Sequence, residues 1–447
     1  MDDAPHQPRF ASYVISPALE AEMEQDPERA IPVIISFQES RTEPQRGIAP
    51  SKEEVKKLLG DRPYRESDFY LFARLTAAEI AALARRTDLV YQIWRDEKTY
   101  GHLLTSTETI KAAACWRAFE ARGKGITWAV LDTGIRCDHP HFQRYQNVDR
   151  SLSRNFSNMP DDDDQAGHGT HVAGIIAGSA PPPAAGKSYR AARSQQGQTQ
   201  VYDLPEAPSG VAPMARLVNI KVLDNDATGD SSNAILGLEY VRKLNQSGRD
   251  IKVDGVNMSL GYPFDPKVYG CGHSPLCQEV TRAVNSGLVV VISSGNWGYG
   301  MARLDTGRQV PVSIGQSVTD PANTEDAIAV GSSHKSAPHT YGISYFSSKG
   351  PTGDGRMKPD LVAPGEKVVS CSLHYQDDYD YEEQSGTSMA APHVSGAIAA
   401  FLSVHTEFRG QPRKVKEIFL KTATDLGRAR DFQGAGLVDL MRAMMSV

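Results

Sequence analysis

Residues 126–134 read ITWAVLDTG. A largely apolar run ends in a carboxylate and a Thr-Gly turn. With no polar face for water, such a run predicts a strand buried on both sides. Four more follow: ARLVNIKVL at 215–223, GVNMSL at 255–260, GLVVVIS at 287–293 and AIAVGS at 327–332. Helical stretches lie between them, among them NAILGLEYVRKLN (233–245) and QEVTRAVNSG (278–287). This alternation predicts an α/β domain, a parallel sheet flanked by helices on both faces.

The chain upstream reads differently. IPVIISF (31–37), FYLFARL (69–75) and LVYQIW (89–94) predict three strands. Between them SKEEVKKLL, opened by Ser51, and TAAEIAALARR, opened by Thr76, carry the Ser/Thr-x-x-Glu signature of a capped helix. The expected division is a small α+β domain over 1–100 and the α/β domain over 101–447. Residues 179–208, rich in Pro, Ala, Gly, Ser and Gln, interrupt the second as an exposed insertion.

Composition excludes several classes. The 447 residues are 40% hydrophobic and 23% charged, so the chain is globular rather than disordered. A formal charge of -6 offers no basic face for nucleic acid or an anionic membrane. No apolar run approaches the roughly 18 residues of a membrane span. Five cysteines rule out a disulfide-dense scaffold. The start, MDDAPHQPRF, lacks the basic and apolar regions of a secretory signal. The chain as given therefore reads as cytoplasmic, or as secreted if a leader was removed before residue 1.

Three motifs carry chemistry. Asp132 ends the strand of AVLDTG, and in a parallel sheet functional groups gather at the strands' carboxyl ends. In GHGTHVAG (167–174), His168 stands before an apolar helical run; His171 reads as structural. In SGTSMAA (385–391), a turn of small residues delivers Ser388 to the start of a helix. Each alone is more simply a turn, cap or core residue. Together they supply a hydroxyl nucleophile, a base and a carboxylate to hold the base's tautomer.

The order Asp, His, Ser and the words DTG, HGTHVAG and GTSMAAPHVSG resemble the three signatures of the subtilisin-like serine peptidases, the subtilases. The similarity continues through VVVISSGNWG (289–298), NMSLG (257–261), KPDLVAPG (358–365) and GAGLVDL (434–440). It implies a subtilisin-like fold and a serine endopeptidase with Asp132, His168 and Ser388 as triad. It implies Asn296 as oxyanion donor, and Ser259, Leu260, Gly261, Ser294 and Gly295 as substrate-binding residues. No organic cofactor is implied, and the partners are protein or peptide substrates of a monomeric enzyme.

In secreted subtilases a small α+β propeptide precedes the catalytic domain as folding template and then intramolecular inhibitor, and residues 30–100 look like that module. Counting back from Asp132 implies self-processing between Tyr100 and Gly101. Tyr100 would then fill the S1 pocket, implying large apolar or aromatic residues there. The other reading is a permanent regulatory module. The family's usual calcium site draws on a loop after the His helix and an Asp shortly after the catalytic one. Here those places hold the 179–208 insertion and His141. Asp161, Asp162, Asp163 and Asp164 remain as candidate ligands for a structural Ca²⁺, or as a solvated acidic loop. Cys271 and Cys277, in CGHSPLC, read as a local disulfide or as free thiols. Two other functions compete: a peptide-binding protein with little turnover, and another acyl-transfer enzyme, for peptide ligation or ester hydrolysis. Casein would stay intact with either.

Overall fold

The structure, a computed structural model, describes residues 14–447 apart from 17–18, 20–22, 24–26, 28, 40–46, 61, 97, 102–105, 182–187, 196–197, 205–207, 264–270, 304, 306 and 376–377. It divides into two compact units, Met1–Glu97 and Lys98–Val447.

In the first unit, apolar alternation makes an antiparallel sheet. The strands, in spatial order, are Tyr64–Glu66, Tyr70–Leu75, Ile31–Phe37 and Val90–Arg95. The sequence suggested three strands. The fourth, YRE, escapes notice because three residues with exposed ends carry no apolar pattern. Two helices complete a β-α-β-β-α-β arrangement. The second, Ala77–Ala84, starts as its capping box requires: the Glu79 carboxylate accepts from the Thr76 N–H at 2.8 Å and the Thr76 hydroxyl at 2.9 Å. The first begins earlier than expected, at Ala49, with Pro50 in its opening turn. Ser51 is thus inside the helix and buried. Proline's preset φ and missing N–H suit a helix start, and they take precedence over the Ser-x-x-Glu signal.

In the second unit, all seven strands of the main sheet run parallel. Their spatial order is Leu361–Pro364, Ile328–Ser333, Val289–Ser293, Gly255–Met258, Thr127–Asp132, Arg216–Lys221 and Arg154–Asn155. On one face Trp128, Val130, Val291 and Val330 pack with the buried helix Thr387–Leu402. On the other, Leu131 and Ile220 meet the helix Ser231–Leu244 at Gly237. Gly255 is dictated by its neighbour, since a Cβ there would lie 2.3 Å from the Trp128 ring. No helix among the described residues is long and apolar enough to cross a membrane.

The 179–208 insertion carries order of its own. Arg190–Gln195 and Gln198–Asp203 form a hairpin, and its first strand pairs in parallel with Tyr381–Gln384. The result is a second sheet in the order Val368–Cys371, Tyr381–Gln384, Arg190–Gln195, Gln198–Asp203. Strand Tyr381–Gln384 leads directly into the helix of Ser388.

Several histidines are core residues. His139, His141 and His393 are buried, and burial drives their pKa values down to about 4, 3 and 4. They stay neutral in the fold, whereas the unfolded chain takes up a proton on each near pH ~6.5. Below that pH the unfolded state binds more protons, so stability falls as pH drops from ~6.5 toward 4. Each histidine contributes up to about 1.4 kcal/mol per pH unit. Melting temperatures measured across this window should drop steadily, and a His141→Gln chain should show a shallower slope. A melting temperature flat from pH 7 to 4.5 would contradict the burial of these rings.

Candidate active site

Each of the three motif residues sits where an element begins or ends. Asp132 is the last residue of the strand Thr127–Asp132 and is fully buried. His168 is the first residue of the helix His168–Ile176 and is 3% exposed. Its Nδ1 lies 2.5 Å from Asp132 Oδ1, which also accepts from the Thr133 N–H at 2.8 Å. Ser388 is the second residue of the helix Thr387–Leu402, which packs against the His168 helix and the Asp132 strand. The approach of His168 to Asp132 depends on a glycine. A Cβ on Gly169 would stand 2.1 Å from the Gly134 carbonyl oxygen.

Ser388 is held by a reciprocal pair of bonds. Its hydroxyl donates to the Ser259 carbonyl at 3.2 Å, and the Ser259 hydroxyl donates to the Ser388 carbonyl at 2.6 Å. Asn296 turns its carbonyl oxygen toward the same helix start, accepting from the Thr387 N–H at 2.9 Å and hydroxyl at 3.0 Å. This fixes the amide plane and directs its NH₂ donors away from Thr387. Asn296 also lines a cavity of about 380 Å³ with Ser385, Tyr345 and Phe346.

The expected substrate-binding residues border this centre. Leu260–Gly261 is a two-residue strand, and the strand Lys98–Gly101 pairs with it antiparallel; Thr228–Asp230 pairs with the other edge of Lys98–Gly101. A piece of the chain itself is therefore the middle strand of three beside Ser388. Tyr100 stands opposite Gly261 and Thr228, and Gly101 opposite Leu260. Ser259, the neighbour of Ser388, is one position further on. Tyr100 thus stands two positions short of Ser259; residues 102–105 lie outside the described residues. Ser294 and Gly295 follow the strand Val289–Ser293 and are buried, Gly295 donating its N–H to Thr387 Oγ1 at 3.1 Å.

Asp161–Asp164 do not behave as a solvated acidic run. Asp161 and Asp162 are exposed, but Asp164 is fully buried. Its Oδ1 accepts from Thr133 Oγ1 at 2.9 Å and from the Ala166 and Gly167 N–H groups at 3.0 and 2.9 Å. Its Oδ2 accepts from the Thr170 N–H at 2.9 Å and hydroxyl at 2.6 Å. One carboxylate thus ties the turn after Asp132 to the first turn of the His168 helix. The preceding carbonyls are tied as well: Asp162 O accepts from Asn219 Nδ2 at 2.8 Å, and Asp163 O from the buried Lys221 ammonium at 2.6 Å. The sequence signal that distinguishes Asp164 is its place three residues before the helix cap, where a carboxylate meets free N–H groups and the positive helix end.

Neither calcium location suits the ion. Both Asp164 oxygens already accept from protein donors. Among the described residues, no group of three or more His, Cys, Asp or Glu is arranged to hold a metal. His141 is buried and neutral, edge-on to Phe142 and Tyr381 with ring centroids 5.5 and 5.8 Å away. Hard cations require oxygen ligands, preferably charged. His171 is buried, with Nε2 3.2 Å from the Glu382 carbonyl, in keeping with a structural role. Cys271 and Cys277 are free and buried rather than disulfide-linked; Cys277 accepts from the Ser274 hydroxyl at 3.2 Å.

A serine at a helix start, a histidine bonded to a buried carboxylate and an oriented amide beside the cleft are the apparatus of a serine hydrolase. Comparison with known proteins carries this further. Residues 123–437 match the subtilase family. Over 390 residues the chain is 30% identical to serine protease AprX of Bacillus subtilis, covering 82% of this chain and 77% of that one. It is 30% identical to the major intracellular serine protease of B. subtilis, over 74% of this chain and 86% of that one. It is 32% identical to subtilisin E of B. subtilis, over 72% of this chain and 66% of that one. The chain belongs to the subtilase family and is a serine endopeptidase.

The Asp164 bonds yield a test. Asp164→Ala leaves the donors of Thr133, Gly167 and Thr170 buried without their acceptor, which costs about 2–4 kcal/mol. It should lower the melting temperature and reduce kcat on casein by about tenfold through misplacement of His168. Asp164→Asn should fall between wild type and Ala in both measurements.

Proposed function

We propose that Ser388, His168 and Asp132 carry the peptidase reaction and that the chain processes itself as a zymogen. Ser388 Oγ attacks the scissile carbonyl carbon while His168 Nε2 takes its proton. Asp132, bonded at Nδ1, holds the tautomer and stabilises the imidazolium. The Asn296 NH₂ and the Ser388 N–H receive the oxyanion. His168 returns the proton to the leaving amine, and water repeats the sequence on the acyl-enzyme. The observation that carries this reading is the 2.5 Å contact between His168 Nδ1 and Asp132, on elements that pack against the helix of Ser388, whose start Asn296 bonds.

Self-processing is supported by the strand Lys98–Gly101, which lies on Leu260–Gly261 as an extended substrate would. The same register argues against a cut between Tyr100 and Gly101, since Tyr100 is two positions short of Ser259. We assign the cut to the residues that follow Gly101. Tyr100 then no longer speaks for an aromatic preference at S1. We place S1 beside Ser388, between Gly261 and Gly295, where Thr319 packs against both glycines. A Cβ on Gly261 would meet Thr319 Oγ1 at 2.7 Å, and one on Gly295 would meet Thr319 Cγ2 at 2.8 Å. We therefore read S1 as apolar but short, suited to Leu or Met over Tyr or Phe. A cytoplasmic setting is supported by two relatives named as intracellular serine proteases and by five free cysteines.

Two measurements test these points. Intact mass followed over time should show the wild type splitting a few residues beyond Gly101 and Ser388→Ala staying whole. A split in both chains would remove Ser388 from the nucleophile's role. In p-nitroanilide peptides, Thr319→Gly should raise kcat/KM for Tyr at S1 relative to Leu by about tenfold. An unchanged ratio would mean that Thr319 does not bound the slot.

A further inference from the structure

Several of the large apolar side chains exposed among the described residues lie directly after Asn296 or pack against that segment. Trp297 is 47% exposed, Tyr299 45%, Met301 54% and Tyr345 69%. Tyr299 and Met301 lie on one face of a two-stranded hairpin, Tyr299–Arg303 paired with Gln309–Ser313. These side chains are ordered against one another. The Phe346 and Tyr345 rings meet edge to face at 5.3 Å, Tyr345 and Tyr299 at 5.4 Å, and Tyr299 reaches Met301 with O to S at 3.9 Å. The row begins in the cavity of about 380 Å³ that contains Asn296 and Ser385, and it runs outward along the hairpin.

The direction of the row is informative. The strand Lys98–Gly101 approaches Ser388 along Leu260–Gly261, which marks the side that takes residues before the scissile bond. The Asn296 cavity adjoins the start of the Ser388 helix through the Asn296–Thr387 bonds and Ser385, and the aromatic row leads outward from it. Contiguous apolar surface beside a cleft marks an interaction site. An isolated two-stranded hairpin gains little stability of its own in water, so folding alone does not account for the apolar side chains on it. We propose that Tyr345, Tyr299 and Met301 form a binding shelf for a large apolar side chain of the substrate, two to four residues beyond the scissile bond. The proposal rests on the peptidase reading of the site and adds a preference on its leaving-group side.

The test separates the two. Internally quenched peptides carrying Phe or Gly at the second, third or fourth residue beyond the cut are compared with p-nitroanilide peptides, whose leaving group ends at the cut. Wild type should favour Phe over Gly at one of those positions by about fivefold to tenfold in kcat/KM, the worth of an aromatic contact. Tyr345→Ala and Tyr299→Ala should lose that preference and keep their p-nitroanilide rates. No preference in wild type, or one that survives both substitutions, overturns the shelf. Absence of all turnover would count against the peptidase reading instead. The shelf is then read in the Ser388→Ala chain by fluorescence polarisation of dye-labelled Gly-Gly-Phe-Gly and Gly-Gly-Gly-Gly amides. The Phe peptide should bind about fivefold tighter, and equal binding would overturn the proposal.

Discussion

The catalytic geometry hangs on one buried carboxylate that takes no part in the chemistry. Asp164 accepts from the Thr133 hydroxyl on one side and from the Gly167 and Thr170 N–H groups on the other. It thereby joins the end of the Asp132 strand to the beginning of the His168 helix. Its charge is balanced by free N–H groups and the positive end of that helix, so the ion is solvated by the protein itself. A contact of 2.5 Å between Asp132 and His168 requires both ends to be held, and backbone packing at Gly169 leaves no slack.

The other half of the site is built from the strand that feeds the serine helix. Tyr381–Gln384 runs straight into Ser385–Gly386 and the helix of Ser388. It is flanked by Val368–Cys371 on one edge and by the 190–203 hairpin on the other, so the insertion supplies a ladder of backbone bonds to this strand. Nearby, His139 and His141 pack edge-on with Tyr381. Neutral rings and a hairpin thus brace the strand that leads to Ser388. Burial of these neutral rings makes the fold sensitive to acid.

The two sides of the cleft differ in kind. On one side an extended segment of the chain, Lys98–Gly101, pairs through its backbone with short strands on both edges. On the other, beside Asn296, the surface is a row of aromatic rings. Between these halves Thr319 packs against the bare backbone of Gly261 and Gly295.

Much of this was legible in the chain. Runs such as VVVIS and ITWAVL can be buried only as interior strands, because they have no polar face, so the parallel sheet follows from composition and spacing. The Asp132, His168, Ser388 and Asn296 motifs were recognisable because each is a short local word whose neighbours set its conformation. Local words also misled: the Ser51 signal lost to Pro50, and four successive aspartates looked alike. Which of the four is buried depends on Thr133 and Thr170, on different elements, and no local pattern records that meeting. The same holds for the strand register that sets Tyr100 opposite Gly261, for Thr319 against two distant glycines, and for Tyr299 against Tyr345. Sequence by itself determined the elements and the chemical groups, through periodicity and backbone preference. Tertiary structure alone decided burial, register and the packing of Thr319, because these depend on atoms far apart in the chain.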